Sequence, residues 1–258
     1  MSDAVRLTHD GPVATITLAR PDKLNALDAG MIAALADAAA RIDADPALRA
    51  AIITGEGKGF CAGGDIAAWG GLAPLEMWRT WTRAGHRAFD ALARLRVPLV
   101  AALNGHALGG GLELAGTADI RVAEAQAKFG LPETGIAMVP GWSGTQRLVR
   151  RFGAGVVRRL ALTGEIVTAD RALALGLVDE VVASGEALGR ARDIAARIAA
   201  RGPAATAIAK QLINAAEGEG DEAATLEGLA GALAAFTEDG AEGVASFRGK
   251  RAPGYTGR

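Results

Sequence analysis

The chain is predicted to be an α/β protein with mostly parallel strand pairing. Three observations carry this. Short aliphatic and β-branched runs (VATITL at 13–18, AAIIT at 50–54, LVAAL at 99–103, IRVA at 120–123) recur with helical stretches between several of them. Glycine-rich segments follow several of these runs, where a strand would have to turn. From about Gly144 the character changes to alanine-rich helical segments.

The elements follow in order. After VATITL, the segment ARPDKLNALD reads as a loop, and Asp28 is placed to cap a helix. In that helix Met31, Leu35, Ala38 and Ile42 fall on one face. Asp45-Pro46 ends it, because the residue before a proline disfavours helical geometry. AAIIT is a short buried strand, and GEGKGFCAGGD reads as a long glycine-rich turn. Pro74 to Leu95 has a helical pattern, and Pro98 opens LVAAL. A helix is expected to start near Gly110 or Gly111. The later helices are predicted at 144–152, 155–162, 169–175, 185–201, 203–217 and 221–238, with VDEVV at 178–182 as one late strand. In the last helix Leu226, Leu229, Leu233 and Phe236 form an apolar stripe, which suits packing against another subunit.

Composition narrows the function classes. The chain has 258 residues, 50% hydrophobic and 22% charged, as in an ordinary globular protein. A net charge of −1 gives no electrostatic basis for nucleic acid or an anionic membrane. Basic pairs such as those in RLVRRFG and VVRRLAL read as solvated helix faces. The single cysteine, Cys61, excludes an intrachain disulfide. MSDAVRLTHDG carries no secretion pattern, so a cytoplasmic location is expected. The apolar stretch 97–118 contains Asn104, His106, Glu113 and five glycines, which fits a buried strand and turn better than a membrane span.

Two loops and two acids stand out. NGHALGGGLELAG (104–116) and GFCAGGD (59–65) both place doubled or tripled glycines just after a strand. They read as tight turns or as backbone N–H groups presented to a ligand. Two such turns could aim two N–H groups at one oxygen that gains charge, as an oxyanion hole does. Neither loop has the spacing of a nucleotide-phosphate cradle. Glu113 sits in the first turn of the predicted helix and Glu133 follows Pro132, positions an acid also occupies for helix-start reasons alone. Together, each beside a glycine-rich turn and each among apolar residues, they make a pair able to position a water and divide acid and base roles.

Other schemes fit poorly. PGWSGT lacks the second glycine of a serine nucleophile elbow, having Thr at position 145. Cys61 has no basic partner nearby in sequence and reads as a small buried residue. His9, His86 and His106 lack metal-ligand spacing, so no metal is expected; His106 reads as a packing residue or as a group lining a site.

The motifs FCAGGDI, NGHALGGGLELAGTADIRVA and KFGLPETGIAMVPGWSGTQRL, in this order, resemble the enoyl-CoA hydratase/isomerase (crotonase) family. RPDKLNAL, LTGEIVTADRALALGLVDEVV and FRGKR extend the resemblance over almost the whole chain. It implies a spiral of β-β-α repeats over residues 1–195 that carries the active site. Residues 196–258 would form a helical trimerisation region. A homo-oligomer, trimer or dimer of trimers, follows from the same resemblance. The implied substrate is an acyl thioester of coenzyme A, with no resident cofactor, since coenzyme A belongs to the substrate.

By motif match, the resemblance assigns the oxyanion N–H groups to Gly64 and Gly110 and the two hydratase carboxylates to Glu113 and Glu133. Lys23, Leu24, Ala62, Asp65 and Ile66 match positions that touch coenzyme A, and Phe247 and Lys250 match tail positions that reach it. The implied reaction is syn addition of water across the 2,3 double bond, or its reverse. Glu113 would be the base and Glu133 the acid. A double-bond isomerase, which commonly needs only the acid at 133, and a thioester hydrolase of the same fold are the alternatives. Leu112 stands where hydratases often have cysteine, and Trp142 and Ser143 where small residues are common. Trp69, Trp78 and Trp81 lie in the region that usually walls the acyl pocket, where core packing explains them equally well.

Overall fold

The computed structural model describes residues 4–220 and 222–258. Strands alternate between two sheets. β1 (Val5–Asp10), β2 (Val13–Leu18), β3 (Ala50–Gly55), β5 (Leu99–Leu103), β7 (Ile120–Glu124) and β10 (Glu180–Val182) form a six-stranded sheet in the order β1-β2-β3-β5-β7-β10. β4 (Gly59–Cys61), β6 (His106–Leu108), β8 (Lys128–Gly130) and β9 (Ile166–Thr168) form the smaller sheet, in that order. Only β1–β2 and β8–β9 are antiparallel; the remaining pairings are parallel.

The chain thus repeats one move. It crosses the large sheet, crosses the small sheet, then turns away: β3 then β4, β5 then β6, β7 then β8. The β-β-α spiral is therefore visible in the pairing itself. GEGKGFCAGGD is not turn throughout, since Gly59–Cys61 pairs with β6. A three-residue strand inside a glycine-rich segment leaves no alternation to read.

Helix α1 (Ala29–Ala44) starts as expected, with the Asp28 carboxylate accepting the Met31 N–H at 2.8 Å. Its Met31, Leu35, Ala38 and Ile42 are buried. Two four-residue-or-shorter helices follow, α2 (Ile66–Trp69) and α3 (Pro74–Glu76). The predicted helix 74–95 continues from α3 through a π-helical stretch, Met77–Thr82, into α4 (Arg83–Ala93). α5 (Gly110–Ala115) starts at the predicted glycine.

The large sheet is covered on both faces. Ala50, Ile52, Val100 and Ala102 cluster with Ala187, Ala191, Ile194 and Ala195 of one helix, while Ala51, Ile53, Ala101 and Leu103 belong to the main core with the buried face of α1. Burial on both faces is why these strands read as unbroken apolar runs.

Beyond Gly144 the helices are α6 (Arg147–Phe152), α7 (Ala154–Thr163), α8 (Ala169–Ala174), α9 (Ala187–Ala199), α10 (Pro203–Ala216), α11 (Glu222–Ala235) and α12 (Glu238–Arg248). The expected helix 221–238 is α11, which ends at Ala235, and α12 follows it as a further helix that the sequence did not predict. Thr237 is extended and its hydroxyl accepts the Gly240 N–H at 2.9 Å, which caps α12.

The chain forms two compact units, one running to Lys210 and one comprising Gln211–Arg258. The division falls after Lys210 rather than after Ala195, because α9 lies on the large sheet and Lys210 is tied to the same unit. Its ammonium donates to the Asp119 carboxylate at 2.7 Å and to the Val97 carbonyl at 3.1 Å. No described helix is long and apolar enough to cross a membrane.

Candidate active site

Three neighbouring parallel strands of the small sheet each deliver one group from their C-terminal ends. β4 leads to Gly63-Gly64, β6 to Gly109-Gly110, and β8 to Glu133. Gly63 and Gly109 take positive φ, +102° and +54°, a region that side chains resist. They turn the chain so that the next amide faces across the sheet end. Leu27 holds the first loop: its N–H donates to Gly63 and its carbonyl accepts from Asp65, at 2.7 and 2.8 Å.

The Gly64 and Gly110 amides lie side by side. A Cβ on Gly110 would stand 3.4 Å from the Gly64 nitrogen, and one on Gly63 would stand 3.3 Å from the Gly110 nitrogen. Neither amide donates to a protein acceptor among the described residues. Gly110 is also the first residue of α5, where N–H groups lack intrahelical partners and the helix end favours negative charge. Two free amides side by side suit a single oxygen that becomes anionic.

Glu113 lies one helical turn further along α5 and is 2% exposed. Its Oε1 accepts the backbone N–H of Trp142 at 2.7 Å and of Gly144 at 2.6 Å. Position 144 has to be glycine for this, because a Cβ there would sit 2.7 Å from that same oxygen. Burial is the largest influence on the carboxyl and, against the pull of these amides, pushes it up to about 7; the charge of Glu133 adds to the rise.

Glu133 opens a 3-10 turn, Glu133–Ile136. Both of its carboxyl oxygens are buried without a partner among the described residues, and burial raises this acid too. Its Oε1 lies over Gly109, 3.0 Å from where a Cβ would be. The two acids therefore differ. Glu113 has the Trp142 and Gly144 amides to oppose the effect of burial, whereas at Glu133 only its own backbone N–H opposes it. Because they interact, they titrate as a pair.

Gly64, Gly110, Glu113 and Glu133 line one cavity of about 510 Å³. Its walls are mostly apolar, with Trp69, Trp81 and Trp142 among them.

The family model for enoyl-CoA hydratase/isomerase matches residues 8–258. The chain belongs to the enoyl-CoA hydratase/isomerase family. It is similar to a crotonyl-CoA hydratase of Syntrophomonas wolfei, 39% identical over 249 residues that cover 95% of each chain. An (E)-benzylidenesuccinyl-CoA hydratase of Thauera aromatica is 37% identical, covering 98% of this chain and 99% of its own. Among solved structures, an enoyl-CoA hydratase from Bacillus anthracis superposes with a TM-score of 0.82 at 33% identity, covering 99% of this chain and 100% of that one.

The other residues expected in this family site fall in three places. Ala62 and Ile66 line the cavity. Lys23, Leu24 and Asp65 are not on its wall but adjoin that side, where the Ala62 N–H donates to the Leu24 carbonyl at 3.0 Å. The Asp65 carboxylate is already engaged: it accepts the Ala67 N–H at 3.0 Å as the cap of α2 and pairs with Arg20 at 2.8 Å, which holds it below its usual range. Phe247 and Lys250 belong to the second compact unit, Phe247 near the end of α12 with its ring 87% exposed and Lys250 two residues after that helix with positive φ.

Sequence reasoning passed over several contributors. Asn25 is fully buried; its amide donates to the carbonyls of Glu56 and Gly59 and its oxygen accepts the Arg20 N–H, so it fastens the Lys23-Leu24 loop to the approach of β4. Gly109 and Gly144 make room for the two acids. His86 lines the cavity and meets the Ser143 hydroxyl at 3.1 Å, while Ser143 itself is buried at φ +87°, a glycine-like conformation. Of the three tryptophans expected near the acyl pocket, Trp69 and Trp81 line the cavity, and Trp78 is exposed and absent from its wall. His106 does not line it. Cys61 is buried, with its thiol pushed up to about 12, which suits packing rather than nucleophilic attack.

Proposed function

We propose that this family member is an enoyl-CoA hydratase acting on a short 2-enoyl thioester of coenzyme A. The observation that carries the reading is the convergence, on one cavity, of two free amides and two buried acids in unlike environments. The thioester carbonyl oxygen sits between the Gly64 and Gly110 amides, which polarise the C=C–C=O system and hold the enolate oxygen as charge builds. Glu113, charged, draws a proton from a water aimed at Cβ. Glu133, protonated, delivers a proton to Cα from the same face, giving syn addition. No resident cofactor takes part, and the relatives named for crotonyl-CoA and benzylidenesuccinyl-CoA support the thioester as substrate.

A panel of enoyl-CoA thioesters tests this. The expected result is loss of conjugated-thioester absorbance with a 3-hydroxyacyl product. Release of free coenzyme A instead identifies a thioester hydrolase, and movement of a 3-enoyl double bond without hydration identifies an isomerase.

The same reading includes a cytoplasmic enzyme assembled from trimers. What supports assembly is α11, which leaves Leu226 and Leu233 exposed in the single chain, together with Phe236 just after it, at 90%. A lone soluble helix does not gain by presenting that much apolar surface to water. Light scattering at micromolar concentration should give a multiple of three subunits, and replacing Leu226 and Phe236 with aspartate should shift the particle to smaller species. A monomeric parent ends this part of the proposal.

A further inference from the structure

Tryptophan stands at position 142 on the same wall as the two oxyanion glycines, and its surroundings are shaped around it. The indole is buried and contacts Trp81 and Phe89, at ring separations of 5.1 and 5.3 Å. One edge faces the glycines: Cζ3 lies 2.8 Å from where a Cβ on Gly110 would be, and Cη2 lies 3.3 Å from a Cβ on Gly64. The opposite edge fills the space of a Cβ on Gly85, in α4. A glycine inside a helix is unfavourable relative to alanine, and here the indole accounts for it. The indole Nε1 is buried with no partner among the described residues, so the ring is kept for its shape and not for a hydrogen bond.

The indole therefore bridges from the thioester-binding amides to α4. The Trp142–Trp81 pair lines the cavity beside those amides, with Trp81 Cζ2 3.1 Å from where a Cβ on Gly64 would be. Behind the pair lie Gly85 and Phe89, which would border open space if the ring were absent.

Resting on the hydratase reading, we infer that Trp142 is the end wall of the acyl channel and confines the enzyme to short acyl chains. Gly85 is its matched partner, the position that lets the ring seat against α4. The Trp142 backbone N–H serves Glu113 separately, and a side-chain substitution leaves that donor in place.

The test uses the full chain and the variants Trp142→Ala and Trp142→Leu. Two readouts are compared across acyl length: affinity for butyryl-CoA and octanoyl-CoA, which cannot react, and kcat/KM for 2-butenoyl-CoA and 2-octenoyl-CoA. The parent should discriminate against the eight-carbon chain by about 10²-fold or more, since even one methylene without room is worth roughly 10–200-fold. Trp142→Ala should move the eight-to-four-carbon ratio by a similar factor toward the longer chain in both readouts, and Trp142→Leu by less. A ring that only stabilises the core would lower both lengths together and leave the ratio fixed. An unmoved ratio in either folded variant overturns the inference, and so does a parent that accepts both lengths equally. If the alanine variant does not fold, the leucine variant decides by the same ratio. Binding selectivity that changes as expected without any hydration by the parent leaves the channel wall standing and overturns the hydratase reading alone.

Discussion

Replacing Glu113 with glutamine should lower hydration of a 2-enoyl thioester by about 10²–10⁴-fold, the usual worth of a general base. The substitution keeps an oxygen to accept the Trp142 and Gly144 amides, so the fold around the acid should hold and thioester affinity should change little. Movement of a double bond from the 3- to the 2-position should survive better, since Glu133 can carry a proton between carbons unaided. Glu133→Gln should impair both reactions. The pH profile gives an independent reading. A base works only when ionised, and burial raises Glu113 to about 7, so kcat/KM should fall as pH drops through that value. Glutamine at 113 should abolish this acid limb. Rates on a 2-enoyl and a 3-enoyl substrate for each variant, followed over pH, decide the matter. Parent-like hydration by Glu113→Gln would reduce Glu113 to a helix-start residue.

Gly110→Pro should be nearly as damaging, by about 10²–10³-fold in kcat, or roughly 3–4 kcal/mol, as when one oxyanion donor is removed elsewhere. Proline at the first position of a helix is tolerated by the backbone, so α5 should still form. It also brings a Cβ against the Trp142 indole, at 2.8 Å without relaxation. Gly110→Ala introduces the same collision and keeps the N–H. The difference in kcat between the two variants isolates the donor, with circular dichroism confirming that each is folded. If proline and alanine cost the same, the Gly110 amide does not bind the oxyanion.

The chemistry was more legible than the architecture around it. Glu113 and Glu133 announce themselves locally, as acids among apolar residues beside glycine runs, and both reach the cavity. The strands of the large sheet were legible where both faces are covered, since Ala50–Gly55 and Leu99–Leu103 read as continuous apolar runs. The small sheet was not. Its strands are three residues long, too short for alternation to emerge, yet they position three of the four central groups. The π-helical stretch at 77–82 carries no local signature. Long-range partners were equally hidden. Nothing near Gly85 in sequence says that its missing side chain makes room for Trp142, and nothing near Glu113 says that the amides holding it come from Trp142 and Gly144.

The adjacency of β4 and β6 has a consequence for how such a chain can diversify. The two amides that the proposed mechanism turns toward the thioester oxygen belong to the main chain, on the segments that leave the paired strands β4 and β6. Side-chain drift cannot erase them, apart from the arrival of a proline or a bulky residue at a glycine. The acids are different: one rides on α5 and the other on the turn after β8, and each is a single codon's exchange from another residue. The anion-stabilising part of the machine is thus inherited with the fold, while the proton-handling part is free to be rewritten. A lineage built this way would acquire new reactions on the same thioester by trading residues at 113 and 133, and new acyl groups by trading residues along the tryptophan wall, with neither change disturbing the other.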